Sequence, residues 1–482
     1  MNGEYVRRGT VGVAYVCAAG IATVVAGVLV AERPGLAGGA ALAAVSGAVL
    51  WRWPAAVGVL VLFVTPLVTG IDRGRLVPML RPNEALVVAV TGVLVLRAVV
   101  RMPLGGFCLP RLTRIEVSLI LMAAANSVSP LMFMVLRGRE VTGDDISYAM
   151  VLWKYIAVYA LVRHAVRTQR AVRWCLVASL LSAAGVGLVG FLQALDLLGV
   201  RGLLLHYWAP FGYTDALAEA RGGSTIGLPA ATADLMMLNL VVAVGLWTKD
   251  RRSPALLTGA GAICVMGTLA AAEFSSFLGL LVLVLSLAWV LGRLDLLRWA
   301  PLGLVVGLAA VWPVVEHRLS GFGLATGLPV SWTTRLYNLR TYFWPELVSG
   351  WNPVLGVRPS ARVVAEHQGT GFVWIESGYM WLVWGGGLPL VLAFGFFVWV
   401  VWKDLIAPAR RLATYSDVAA LAAFSGVVVI VVLMNFDPHL TYRGSGDCLF
   451  ALLALAGVSR RCTPEWGSHS SASELHTAGV NS

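Results

Sequence analysis

Residues 373–402 read VWIESGYMWLVWGGGLPLVLAFGFFVWVVW, a run in which Glu376 is the one charged side chain and which stops against Lys403. Crossing the hydrocarbon core of a bilayer takes about 20 apolar residues in a helix, and this run exceeds that length. Runs of the same kind, separated by charges or turn residues, recur outward in both directions. They fall at about 10–31, 35–50, 54–71, 83–100, 115–136, 147–162, 174–195, 229–248, 254–271, 274–292, 299–315, 417–434 and 444–458. Backbone groups in lipid must be satisfied within the segment. The sequence therefore predicts an all-α polytopic membrane protein with about 12–14 transmembrane helices.

Composition agrees. The chain of 482 residues is 58% hydrophobic and 13% charged, with a mean hydropathy of +0.80. Soluble domains carry about 25% charged residues, so a soluble enzyme is excluded. Residues 1–458 read as a single membrane domain, and the Ser-rich polar stretch 459–482 as a disordered cytoplasmic tail.

The net charge of +11 is carried by Arg, since Lys occurs only at Lys154, Lys249 and Lys403. Its cause is anchoring by the positive-inside rule rather than nucleic acid. Every second connection is basic: Arg7/Arg8, Arg52, Arg97–Arg114, Arg163–Arg173, Lys249–Arg252, Arg293/Arg298, Lys403–Arg411 and Arg460/Arg461. That alternation predicts cytoplasmic termini and puts the two long connections, 196–228 and 316–372, outside. In 331–349, Leu336, Leu339, Tyr342 or Phe343, and Leu347 recur at helical spacing, which predicts a short amphipathic helix at the membrane surface. The six Cys show no CxxC spacing, so neither a disulfide framework nor a zinc site is indicated.

The short basic connections hold no glycine-rich phosphate loop. The unusual polar chemistry lies in the external segments, where no nucleotide is available and a lipid-linked donor is the more plausible one. Arg221 stands there against the charge rule, as do Arg318, Arg335, Arg340, Arg358 and Arg362. A guanidinium fork suits phosphate oxygens, and the plainer alternative is pairing with headgroups or with Glu316, Glu346 and Glu366. Glu376 at the mouth of its span is a candidate general base, or else a carboxylate stabilised at a helix N-terminus. His367 could assist it. Asp437, His439 and Arg443 crowd the last external turn, Asn435–Gly446. One carboxylate and one His close in sequence make that turn a weak metal site. Tyr337, Tyr342, Trp344 and their neighbours serve an interfacial belt or stack on sugar faces.

Four segments carry a family resemblance: Arg221-Gly-Gly-Ser-Thr-Ile-Gly-Leu-Pro229; Arg335-Leu-Tyr-Asn-Leu-Arg340 with Trp351-Asn-Pro-Val-Leu-Gly-Val357; Glu376-Ser-Gly-Tyr-Met-Trp-Leu382; and Phe436-Asp-Pro-His-Leu-Thr-Tyr-Arg-Gly-Ser-Gly446. Together they resemble the O-antigen ligase and polymerase superfamily of bacterial envelope proteins, over about 196–458. The resemblance implies an inverting glycosyl transfer, independent of metal and cofactor, from a polyprenyl-pyrophosphate-linked glycan at the outer face of the bacterial cytoplasmic membrane. It implies Arg221 and Arg335, supported by Arg340 and Arg443, as holders of the diphosphate. On this reading Glu376, ahead of His367 or Asp437, would accept the proton of the attacking hydroxyl, and Tyr337 and Tyr379 would position donor and acceptor, beside Asp437 and His439. Membrane lipid and a chain-length regulator or flippase are the implied partners.

Two departures bear on the subtype. Glu376 stands where many ligases have His, which fits polymerase-like members, and Glu273-Phe-Ser-Ser-Phe277 stands where many members carry Ser-Arg. Competing classes are a lipid-linked oligosaccharide flippase or polysaccharide exporter, a polyprenyl-phosphate-sugar glycosyltransferase using Asp144-Asp145, and a non-catalytic assembly partner. A transporter predicts ionisable residues deep in spans, and Lys154 alone reads as deep.

Overall fold

The computed structural model describes residues 44–78, 80–101, 112–208, 220–250, 253–319, 330–365 and 371–458. The chain divides into two compact units, Met1–Pro54 with Gly92–Met102, and Ala55–Thr91 with Pro103–Ser482. In the smaller unit residues 44–52 are helical. The run at 10–31, most of that at 35–50, His367 and the tail 459–482 lie outside the described residues.

The principal helices are α1 (Ala56–Val68), α2 (Pro82–Arg101), α3 (Arg114–Leu136), α4 (Gly143–Ala165), α5 (Gln169–Ala194), α6 (Pro229–Asp250), α7 (Pro254–Ala270), α8 (Phe274–Val290), α9 (Ala300–Ala310), α10 (Val330–Asn338), α11 (Gly378–Arg411), α12 (Tyr415–Leu433) and α13 (Ser445–Ala456). Each apolar run from 54–71 onward coincides with one of them. Among the described residues seven helices are long and apolar enough to cross a membrane, and five more apolar helices are shorter. The chain is thus all-α and of polytopic membrane type. The one sheet among the described residues is a hairpin, β1 (Arg362–Val364) and β2 (Phe372–Trp374), antiparallel with Arg362 opposite Trp374.

Helix ends follow local chemistry where it differs from hydropathy. α4 starts at Gly143 rather than 147 because Thr142 and Asp145 form a capping box. Thr113 with Glu116 and Thr414 with Asp417 cap α3 and α12 in the same way. α11 runs on to Arg411, beyond the apolar end at 402, because charged residues continue a helix as readily as apolar ones. Its start is later than the apolar run suggests, because 372–374 pair as a strand.

α11 is broken at Gly387 (φ 63°, ψ −157°). A Cβ there would lie 2.2 Å from the Val354 carbonyl oxygen, so only glycine fits. The break, with Pro389 two residues on, leaves the Trp384 carbonyl to accept the Val357 N–H at 2.7 Å. The turn Asn352–Leu355 is thereby seated against α11, and Arg137 donates to Asn352 Oδ1 and to the Val357 carbonyl.

α6 and α12 form the centre, with 83% of their most apolar stretches buried against 17% for α2. Between them and their neighbours lie buried polar contacts: Ser179 Oγ donates to Asn239 Oδ1 at 2.7 Å. At one end Asp250 pairs with Arg173 (3.2 Å) and Tyr415 (2.9 Å), and Lys249 Nζ donates to the Ala413 carbonyl. These are the basic connections of the sequence. At the opposite end of α6 and α12 lie Pro229 and Leu433, and there the candidate site is built.

Candidate functional site

The segment bearing Arg221 is fastened by its own small residues. Gly222 N–H donates to the Ala270 carbonyl at 2.9 Å, and a Cβ on it would lie 3.1 Å from the Gly190 carbonyl oxygen. Ser224 donates through its N–H to Gln193 Oε1 (2.7 Å) and through its hydroxyl to the Val186 carbonyl (2.8 Å). Thr232 on α6 closes back on the Gly223 carbonyl at 2.9 Å. Arg221 is thus held at the head of α6, where it forms an ion pair with Glu273 at the start of α8.

Glu376 and Asp437 are brought together by a second close approach. Gly378 opens α11 against Met434, whose Sδ would be 2.4 Å from a Cβ at that position. Tyr379 N–H donates to the Met434 carbonyl at 3.1 Å, and Ser377 caps α11 through Met380 N–H. The 436–444 turn is tied down from the other side. Tyr155 donates its hydroxyl to the carbonyls of Thr441 (2.9 Å) and Tyr442 (3.0 Å). Asp447 accepts from Lys154 Nζ at 2.8 Å and from Gly444 N–H at 3.1 Å.

Arg335 enters from α10, the amphipathic helix read from the sequence. Trp332 packs on Phe436 with ring centroids 5.7 Å apart, turning the inner face of α10 toward the turn. Arg335 Nη2 then lies 3.1 Å from Asp437 Oδ2, and Arg335 Nε 3.7 Å from Glu376 Oε2. Burial pushes the Glu376 carboxyl above its ordinary range; Arg335 opposes the rise and the Asp437 charge adds to it. Burial raises Asp437 as well, against Arg335 and His439.

Arg221, Glu273, Trp332, Arg335, Asn338 and Glu376 line one cavity of about 310 Å³. An adjoining groove of about 280 Å³ shares Trp332, Arg335, Glu376 and Phe436 and adds Leu336 and Leu339. Four distant segments thus place two guanidinium groups and two carboxylates, Glu273 and Glu376, around one space, with apolar walls beside it. The arrangement can hold an anion on its arginines and offer a proton acceptor beside it.

The other candidates do not reach the cavity. Tyr379 donates its hydroxyl to the Val431 carbonyl at 2.7 Å, and Tyr337 and Arg340 are exposed. Arg443 is half-buried in the last turn and is not among the lining residues. His439 is buried, with Nδ1 2.8 Å from Asp234 Oδ2, behind Asp437. Its Nε2 and Asp234 Oδ1 have no hydrogen-bond partner. Among the described residues no three His, Cys, Asp or Glu side chains converge as metal ligands would. Asp145 and Asp144, the acidic pair of the rival glycosyltransferase reading, are engaged by Arg358 (2.6 Å) and Arg362 (2.8 Å).

Glu273, Asn338 and Asp234 are site or supporting residues that sequence reasoning did not single out as functional. Glu273 carried one usable signal, being the lone charge between two apolar runs. The chain is a polytopic all-α membrane protein with a polar cavity beside its helix ends. No family model, no curated protein and no solved structure matches it.

Proposed function

We propose that the protein is a glycan polymerase or ligase, polymerase favoured, acting on a polyprenyl-pyrophosphate-linked donor at the outer face of the bacterial cytoplasmic membrane. The carrying observation is the convergence of Arg221, Arg335 and Glu376 on one cavity. In this reading the connections 196–228 and 316–372 are external and both termini cytoplasmic, with 12–14 spans.

The acceptor hydroxyl oxygen attacks the anomeric carbon while the bond from that carbon to the diphosphate oxygen breaks. The bonding pair leaves with the diphosphate, whose growing charge Arg221 and Arg335 stabilise. Glu376 takes the hydroxyl proton, and Asp437 keeps Arg335 oriented. The adjoining apolar groove is compatible with a lipid carrier. Acceptor glycan, membrane lipid and a chain-length regulator or flippase are the partners of this reading.

The test is turnover by purified protein in lipid with extracted polyprenyl-linked oligosaccharide, products being sized on a gel. A ladder at repeat-unit intervals is the expected result. A single transfer to an added acceptor means ligase, and no turnover with any substrate removes the reading. A lipid-linked oligosaccharide flippase or polysaccharide exporter is the second reading, favoured by the Lys154–Asp447 pair, because ionisable residues within spans mark transport paths.

A further inference from the structure

We infer that Glu273 is a built-in competitor of the phosphoanion, occupying Arg221 until a diphosphate displaces it and so setting the affinity of the cavity. The inference rests on the phosphoanion reading of the cavity and adds a residue that governs its strength.

Glu273 is the N-cap residue of α8, a position where a side chain ordinarily accepts an N–H of the helix's first turn. Its side chain makes no such bond. It is turned instead to the Arg221 guanidinium, and both side chains are largely shielded, 19% and 16% exposed. The geometry that turns it is specific. Ala272 adopts a left-handed φ of 54°, and the preceding Ala270 carbonyl is held by Gly222, the neighbour of Arg221. The α8 terminus and the Arg221 segment are thereby bound to each other.

Both guanidinium groups of the cavity are therefore already neutralised, Arg221 by Glu273 and Arg335 by Glu376 and Asp437. Glu376 and Asp437 have tasks of their own in the proposed reaction. Glu273 has none there. Phe274 and Ser275, the next residues of α8, also line the cavity, so an anion on Arg221 would sit by a helix N-terminus that favours negative charge. A ligand phosphate must offset the loss of the Arg221–Glu273 pair, and removing the carboxylate removes that cost.

The experiment is binding of inorganic pyrophosphate to the full chain in lipid nanodiscs by calorimetry. Glu273→Gln is expected to bind about tenfold more tightly than the parent protein, the factor that corresponds to about 1.4 kcal/mol. Arg221→Gln is expected to weaken binding in either background, and Glu346→Gln, whose carboxylate pairs with Arg139 and does not line the cavity, to leave it unchanged. A purely structural Glu273 predicts the opposite sign, weaker binding together with a lower melting temperature. Unchanged or weaker binding by folded Glu273→Gln overturns the inference while leaving the anion site standing. Absence of pyrophosphate binding in every protein overturns both. Should Glu273→Gln not fold, Glu273→Asp, one methylene shorter, is expected to bind more tightly for the same reason, and unchanged binding by it also overturns the inference.

Discussion

Arg335 Nη2 stands 3.1 Å from Asp437 Oδ2 although the two residues lie 102 positions apart, in different connections between the long helices, and Nε of the same guanidinium reaches to 3.7 Å from Glu376. The planar fork of Arg faces two carboxylates at once, which the point charge of Lys cannot reproduce. Arg335→Ala is therefore expected to stay folded, giving the parental elution profile in detergent, and to lose at least about 100-fold in product formation, the scale of removing one preorganised charge donor. Arg335→Lys is expected to recover only part of that loss. Full activity in the Ala variant, measured on the oligosaccharide gel, removes Arg335 from the site.

Gly387 tests the architecture that carries Glu376. Its left-handed φ of 63° and the 2.2 Å approach of the Val354 oxygen to a Cβ position leave no room for a side chain. Gly387→Ala is expected to cost about 1–3 kcal/mol from backbone strain alone, seen as a lower melting temperature of the detergent-solubilised protein. Gly395, on the same helix with nothing within 4 Å of its Cβ position, is the control and should tolerate Ala. Equal melting of the two variants would show that α11 is a continuous helix in solution.

The helices from α1 onward were legible because their apolar runs are separated by charges or turn residues, whereas the starts set by the capping boxes at Thr113, Thr142 and Thr414 lay outside what hydropathy reports. The amphipathic stretch around Arg335 was legible because its period is local. The pairings of the site were not. Arg221 meets Glu273 across 52 residues, His439 meets Asp234 across 205 and Lys154 meets Asp447 across 293. Periodicity within a helix reports which face is apolar and says nothing about which distant charge that face will meet. Tyr337 and Tyr379 were expected to position donor and acceptor. Helix phase turns the first to the surface, and a backbone carbonyl at the end of α12 claims the hydroxyl of the second.

Lys154 and Asp447 form an ion pair with side chains 14% and 2% exposed, anchoring the turn that carries Asp437. Removing one partner of a buried pair leaves the other charged and uncompensated, which costs about 3–5 kcal/mol. Lys154→Met and Asp447→Leu are each expected to lower the melting temperature sharply, and the double variant to recover much of the loss. Additive losses in the double variant would mean that the two charges act separately, as stations on a transport path would.

Glu376 gives the pH dependence of the proposed reaction. A general base works in its ionised form, so activity should rise with pH through the pKa of Glu376, and burial places that rise above the ordinary carboxylate range. The neighbouring groups fix the sign of two further shifts. Asp437 adds negative charge beside Glu376, so Asp437→Asn should move the acid limb of kcat/KM to lower pH. Arg335 favours the ionised form, so whatever activity survives in Arg335→Gln, which lacks the charge, should show its acid limb displaced to higher pH. Glu376→Gln should lose far more activity than Glu376→Asp, because the shorter carboxylate still accepts a proton. If Asp437→Asn instead abolishes turnover while Glu376→Gln retains it, the proton acceptor is Asp437 and the two carboxylates exchange roles, with Glu376 left to orient Arg335.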